Sequence, residues 1–502
     1  MISIDPNFYA GKTLSKSTVN FSNALLEGLA YNFNSTVFIG TEMANADFSS
    51  TRGTDGNPIL DAGGNPINFA TFVNAEMRGV DATGAKFTGA NMAGLSTNGT
   101  VTTFAKANFD YANLSGANLA GDGSAIDSAT GVITARGNTV SFEGASIQNA
   151  DLSNANMKAA ILKDANLSGS NLTSAMLESV IFWNTDMTGT TLTAVNFTDG
   201  LIGGNTKFDL ANLDNVSLTD TRTGTTGSVS FKGASMAGFS MEDTSLSNPD
   251  FSAYVDLATG EVTKTNLAGA KLTQSNLVGA KFNDAIATDA FFTGADLTKA
   301  DFTEADISGS NFGGSTLIDA TFTNTTATST RANPTGTSFN LANLSGATVT
   351  GSNFNGVQAS IANLTGATFT TDLSNPLQPV ETTMVGANLK EAYANDNNDG
   401  IQGNETLFQG VNLDKASLEK SKFADTTFAD TQLTNGGIVS DVTFSNTVFE
   451  DVDFSGTKFI GNSQFINVTL KGTITGFDAT TLLDTTGITV DATAQLVNTI
   501  GI

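Results

Sequence analysis

An all-β solenoid is the fold this sequence predicts, and three features predict it: a repeat every five residues, a large apolar residue at the centre of each five, and a small one two places earlier. From Val140 to Gly204 the chain divides into fives without a gap: VSFEG ASIQN ADLSN ANMKA AILKD ANLSG SNLTS AMLES VIFWN TDMTG TTLTA VNFTD GLIGG. The centres are Phe142, Ile147, Leu152, Met157, Leu162, Leu167, Leu172, Leu177, Phe182, Met187, Leu192, Phe197 and Ile202. Before them stand Ala145, Ala150, Ala155, Ala160, Ala165, Ser170, Ala175 and Val180. This period fits neither a helix at 3.6 nor a simple strand at 2. Fixed-period self-similarity means that each unit cannot bury its apolar face alone and stacks on its neighbours. The large residue fills a narrow axis, and the small one lets the wall approach it.

ANLSG occurs at Ala112, Ala165 and Ala342, and ADLSN at Ala150. In these motifs the sequence resembles the pentapeptide-repeat family, whose pattern is A-(D/N)-L-x-x, and the resemblance covers nearly the whole chain. It implies a right-handed, four-sided β-helix in which four fives make one coil. It also implies one class of partner, because some members of the family look like DNA duplex to topoisomerases.

Taken in order, residues 1–18 are off-register and read as an N-terminal cap or docking segment, and residues 19–471 as one continuous solenoid. The pattern enters at Phe21 and Leu26, slips by two residues, and continues from Phe33 to Phe48. Insertions interrupt near 51–67, 121–139, 221–228, 253–264, 324–336, 371–381 and 395–405. The second and fourth place short β-forming runs around Ala129-Thr130-Gly131 and Ala258-Thr259-Gly260, which is a hairpin signal. Leu267 to Phe322 is a second clean block, with Phe282, Phe292, Phe302, Phe312 and Phe322 at centres. Stacked coils would set such rings in ladders. Counting gives about 71 repeats, or about 18 coils at the ~4.8 Å spacing of neighbouring strands. Residues 472–502 abandon the pattern and read as a C-terminal cap or docking segment.

Acids outnumber bases by 49 to 23, a formal charge of −26, although only 14% of residues are charged. That balance argues against direct binding to nucleic acid or anionic membrane. There is no cysteine and no histidine, which excludes disulfides, thiolate metal sites and histidine-dependent catalysis. No nucleophile elbow or phosphate-cradling Gly loop appears, so the chain reads as non-enzymatic. No apolar run is long enough to span a membrane. The N-terminus, MISIDPNFYAGKTLSK, has no basic region followed by an apolar run and so does not read as a secretory signal. An acidic, Cys-free chain rich in Gly, Thr and Asn fits an extracellular or cell-surface protein exported without one; the alternative is cytoplasmic.

Two local features invite a binding role. The insertion ANDNNDGIQGNE offers Asp396, Asp399 and Glu405 to a hard cation, and reads either as a calcium-type loop or as a polar surface turn. It departs from an EF-hand, since Ile401 directly follows Gly400 and Glu405 falls one place early. The pairs Asp55 and Asp61, and Asp122 and Asp127, are sparser and read as turn residues. Trp183 follows the central Phe182 and is expected to point outward as an exposed ring. The Asp and Asn residues before each centre read as solvated wall.

Function divides between two classes. One is a structural rod joined to copies of itself head to tail, in an extracellular filament. The other is an acidic mimic of duplex DNA that binds a topoisomerase or another nucleic-acid-binding protein. The tail favours the first, with Ile474, Phe477, Leu482, Leu483, Ile488, Val490, Leu496, Val497, Ile500 and Ile502 as assembly residues. An uncapped β-helix end is an open row of backbone donors and acceptors, and a head-to-tail contact that does not close propagates as a filament.

Overall fold

In the computed structural model, residues 102–104, 106–120, 140–218, 227–246, 248–328, 336–350 and 442–460 are described, with shorter pieces between them and near both ends. The chain forms two compact units. One comprises Met1–Asp250 with Tyr254–Thr265, the other Phe251–Ala253 with Asn266–Ile502. No helix occurs among the described residues, apart from a single 3-10 residue at Thr480. Each unit is a stack of parallel rungs.

The first unit shows how a five-residue period makes a coil. Ser146 bridges to Asn166, Asp151 to Asn171, Asn156 to Met176 and Ile161 to Ile181, each in the parallel sense and each twenty residues on. Four columns of rungs therefore run through this block. Both backbone groups of a rung are used: Ile147 N–H donates to Asn166 O at 2.7 Å, and Asn166 N–H to Ala145 O at 2.9 Å. Each five closes on itself as well, with Ala145 N–H donating to Phe142 O at 2.9 Å. The corner this makes needs a left-handed residue. Asn149, Asn154, Asp164 and Gly169 take it at φ 54, 56, 57 and 72°, which is why Asn, Asp and Gly recur at the fifth place.

The centres lie inside. Phe142, Ile147, Leu152, Met157, Leu162, Leu167, Leu172, Leu177 and Phe182 are all 0% exposed. In the second unit the rings form the ladders. Phe282 stacks on Phe302 at 4.6 Å between centroids, Phe302 on Phe322 at 5.0 Å, and Phe292 on Phe312 at 4.6 Å. Ladders on opposite columns meet edge-on across the core, as Phe292 and Phe302 do at 88°. Offset and edge contacts of this kind add about 0.5–1.5 kcal/mol per pair beyond area burial.

Three boundaries differ from the sequence reading. Thr13–Ser15, inside the expected cap 1–18, pairs in parallel with Val37–Ile39 and is already a rung. Arg222–Thr223, inside the expected loop 221–228, continues the stack beneath Leu201–Ile202. In the tail, Ile488–Val490 pairs with Val468–Leu470, and Gln495–Val497 with Thr473–Thr475, both in parallel. The five-residue spacing fails there, but the coil-to-coil interval survives, and strand pairing follows the interval. Two antiparallel hairpins depart from the stack, Ser124–Ile126 with Ile133–Arg136 and Tyr254–Val255 with Val262–Thr263.

Candidate functional surface

Among the described residues no group of three or more His, Cys, Asp or Glu could hold a metal ion. Asp396, Asp399 and Glu405, with Asp55, Asp61, Asp122 and Asp127, lie outside the described residues. Function therefore has to be sought on the walls and at the strand edges.

The wall acids and amides are structural acceptors, a correction to their reading as solvated positions. Each outward Asn or Asp turns its side-chain oxygen onto the N–H two residues on, as Asn166 does to Ser168 at 2.9 Å and Asn171 to Thr173 at 3.0 Å. These are Asx turns. At the outward residues Ser146, Ser230 and Ser235, the coil before supplies the acceptor. Asp110 Oδ1 takes Ser146 Oγ at 2.6 Å and Gln148 N–H at 2.8 Å. Asp214 Oδ1 does the same for Ser235 and Ala237 at 2.7 and 2.9 Å, and Asp209 for Ser230 and Lys232. The signal lay in the sequence as a Ser one coil beyond an Asp.

Buried hydroxyls are also satisfied between coils. Where Ser or Thr replaces the small Ala, it donates to the carbonyl of a centre. That centre lies in the coil before for Ser170 to Ile147 at 2.5 Å, Thr185 to Leu162 at 2.9 Å and Thr325 to Phe302 at 2.8 Å. It lies in the same coil for Thr190 to Met187 at 2.7 Å and Ser315 to Phe312 at 2.8 Å.

Trp183 is the second correction. It is 4% exposed, grouped with Ile161, Ile181 and Leu201, all buried on an outward column of the first unit. Its ring lies over two glycines: a Cβ on Gly203 would come within 2.5 Å of it and one on Gly224 within 2.6 Å. Alternation put Trp183 on the outer wall correctly but could not reveal that the wall is covered. The two glycines stacked on its column were the legible signal.

The tail residues divide. Ile474 and Phe477 are 0% exposed, and Phe477 packs against Phe454 at 5.3 Å and Phe459 at 4.9 Å. They belong to the core of their own subunit rather than to an assembly surface, because the coil interval carries them inward. Leu496 and Val497 are 39% and 41% exposed, Ile488 and Val490 half-buried. Leu482, Leu483, Ile500 and Ile502 lie outside the described residues.

Among the described residues, titration is perturbed at two exposed turns and one exposed pair. The N–H of Ala258, then that of Thr259, holds Asp256 below its ordinary range, and the Thr480 hydroxyl does the same to Asp478. A hydrogen bond to Glu178 raises Lys158. The Lys158–Glu178 pair, 2.7 Å apart, is solvent-facing, and such pairs are worth little.

Eight copies of the pentapeptide-repeat model match the chain, over 68–94, 97–121, 140–173 and, in overlapping segments, 265–370. With the rungs repeating every five residues, these matches show that the chain carries pentapeptide repeats over these segments. No curated protein matches the sequence. Among solved structures, it is similar to HetL, a pentapeptide-repeat protein involved in heterocyst differentiation regulation from the cyanobacterium Nostoc sp. strain PCC 7120. Identity there is 19%, over 59% of this chain and 89% of that one, with a TM-score of 0.22. Trypsin-treated QnrB1, a plasmid-mediated fluoroquinolone resistance protein, is 16% identical over 48% and 82%, with a TM-score of 0.25. The periplasmic alginate epimerase AlgG is 8% identical over 71% and 77%, at 0.18. Superpositions this loose carry no argument about function.

Proposed function

We propose that the chain is a non-enzymatic structural protein whose stack continues from one subunit into the next, head to tail, as an extracellular or cell-surface filament. One observation carries the reading. Among the described residues, the last strands are paired on one side only: Ile488–Val490 rests on Val468–Lys471, and Gln495–Val497 on Thr473–Thr475. At the other end, among the described residues, Thr13–Ser15 pairs only with Val37–Ile39. Edges left open in a parallel stack are templates for a further parallel strand, and the strand that restores the order is the first of another copy. Exposed Leu496 and Val497 supply apolar contact at that edge. The formal charge of −26 opposes sideways association and leaves the axial direction open.

The same charge is what the duplex-mimic reading rests on. Weighing against it, acids and amides alternate in single columns, Asn113, Asp151, Asn171 and then Thr191. Where they cap the turns, carboxylate and carboxamide are interchangeable, so they do not form a phosphate-like row.

The test is sedimentation and negative-stain microscopy of the full chain, with and without calcium, beside Leu496→Pro. Proline removes the edge N–H. Filaments from wild type and short rods from Leu496→Pro are expected. A wild type that stays monomeric at high concentration overturns the proposal.

A further inference from the structure

One side of the second unit differs from the other three. On its column three successive coils read Thr321-Phe322-Thr323, Thr348-Val349-Thr350 and Thr368-Phe369-Thr370. They pair in register without a shift, Thr321 with Thr348 with Thr368 and Thr323 with Thr350 with Thr370. The middle residues are buried, and Thr321, Thr323, Thr348, Thr350 and Thr368 face out. Thr348 is exposed, and Thr321, Thr323, Thr350 and Thr368 are half-buried. The first file is interrupted at Leu407 and continues through Thr427, Val448, Thr469 and Thr489. Before Thr321 the same file carries Lys281 and Asp301, so the threonine array begins at Thr321; the other columns carry Asn276, Asp296, Lys271, Phe291 and Asp306 at the corresponding places.

Side chains in this array repeat about 4.8 Å across the rungs and about 6.6 Å along them. Each offers one hydroxyl and one methyl, and χ1 of a β-branched residue is stiff. Rigid centres hold the plane: Phe302 stacks on Phe322 at 2°, and Phe369 on Phe408 at 3°. The three double rows are uncharged in a chain of net charge −26. Beside them Asn324 Oδ1 is buried and takes no hydrogen bond from the protein, although Asn324 N–H donates to Thr350 O at 2.8 Å. Such an acceptor suits an ordered water.

A small ligand has no use for a repeat in two dimensions. The ligand that matches is itself a lattice, uncharged, made of donors and acceptors with apolar gaps between them. Hexagonal ice is such a lattice, and its oxygens repeat at comparable distances in two perpendicular directions. Crystalline polysaccharide would be gripped through aromatic faces, and the exposed aromatic rings among the described residues, Tyr111 and Phe291, are not on this column. We propose that the threonine face Thr321–Thr370 binds ice, its hydroxyls and methyls ordering a first layer of water that merges with the crystal.

Nanolitre osmometry of the full chain tests this. Faceted ice crystals and a gap between melting and freezing points are expected. Thr348→Lys and Thr368→Lys, each placing a long cation in the array, are expected to abolish both while the circular dichroism spectrum is kept. Thr293→Lys, on another column, is expected to keep them. Unfaceted crystals with wild type, or full activity in a folded Thr348→Lys, overturn the proposal. So does binding to crystalline cellulose with no effect on ice.

Discussion

Two stretches of rungs, 146–198 and 406–471, solve the same geometric problem differently. In the first, most rungs are single bridges, and the outward residue is usually Asn or Asp, capping the N–H two places on. In the second, rungs are strands of three or four residues: Thr406–Gln409, Thr426–Ala429, Val448–Glu450 and Val468–Lys471. Their outward residues are Leu407, Thr427, Val448 and Thr469. The exceptions cut the right way. Asp453, in the strand-rich stretch, makes a single bridge and caps Ser455 at 2.8 Å. Ile181 and Leu201, nearer the first, make full strands. One residue per five therefore decides whether the backbone curls back through a carboxamide or stays extended to meet its neighbour.

The comparison can be broken hardest from inside. Leu167→Asp puts a charge where only side chains are available to it, and the local coils are expected to unfold; a melt matching wild type would mean the centre is not where burial places it. Next, Phe408→Ala removes a ring stacked on both Phe369 and Phe428. A loss of ~3–5 kcal/mol is expected by denaturant titration, at the upper end of what Leu167→Ala should lose. Then Asp214→Ala strips the acceptor from Ser235 and Ala237, for about 1 kcal/mol. Thr427→Asn should convert a strand to a capped bridge at lower cost still, read as faster amide exchange on that rung. The smallest effect is a pH dependence at the exposed hairpin. Asp256 is depressed when folded, so its contribution is present above the ordinary carboxylate value and fades as pH falls through the folded one. Asp256→Asn should flatten that acid limb alone.

Much of the coil was legible because apolar centres at a constant interval leave few alternatives. Phe142 to Phe182 needed only counting. What escaped was whatever depends on the neighbouring coil rather than the neighbouring residue. Ser146 looks like any wall residue until Asp110 is brought beside it. Trp183 looks exposed until Gly203 and Gly224 come beneath it. Ile474 and Phe477 looked like a loose apolar tail because the five-residue spacing had failed, although the pairing interval had not. The threonine face needed both levels, since Thr321, Thr348 and Thr368 are separated in sequence by unequal gaps and aligned only by register.

That register has a consequence for how the chain acquires its structure. Partners such as Asn166 and Asp186 are one coil apart in sequence, so forming a rung in an uninterrupted block closes a loop of constant, short length. No rung waits on a distant segment, and structure can nucleate at any clean block and spread in both directions. An insertion enters this process only through the loop it lengthens. Asn113 and Asp151 are 38 apart instead of 20, just short of a doubling, which costs about 0.6 kcal/mol in closure entropy. Insertions between coils are thus nearly free to accumulate, and the stack can acquire new outgrowths without slowing its own assembly much.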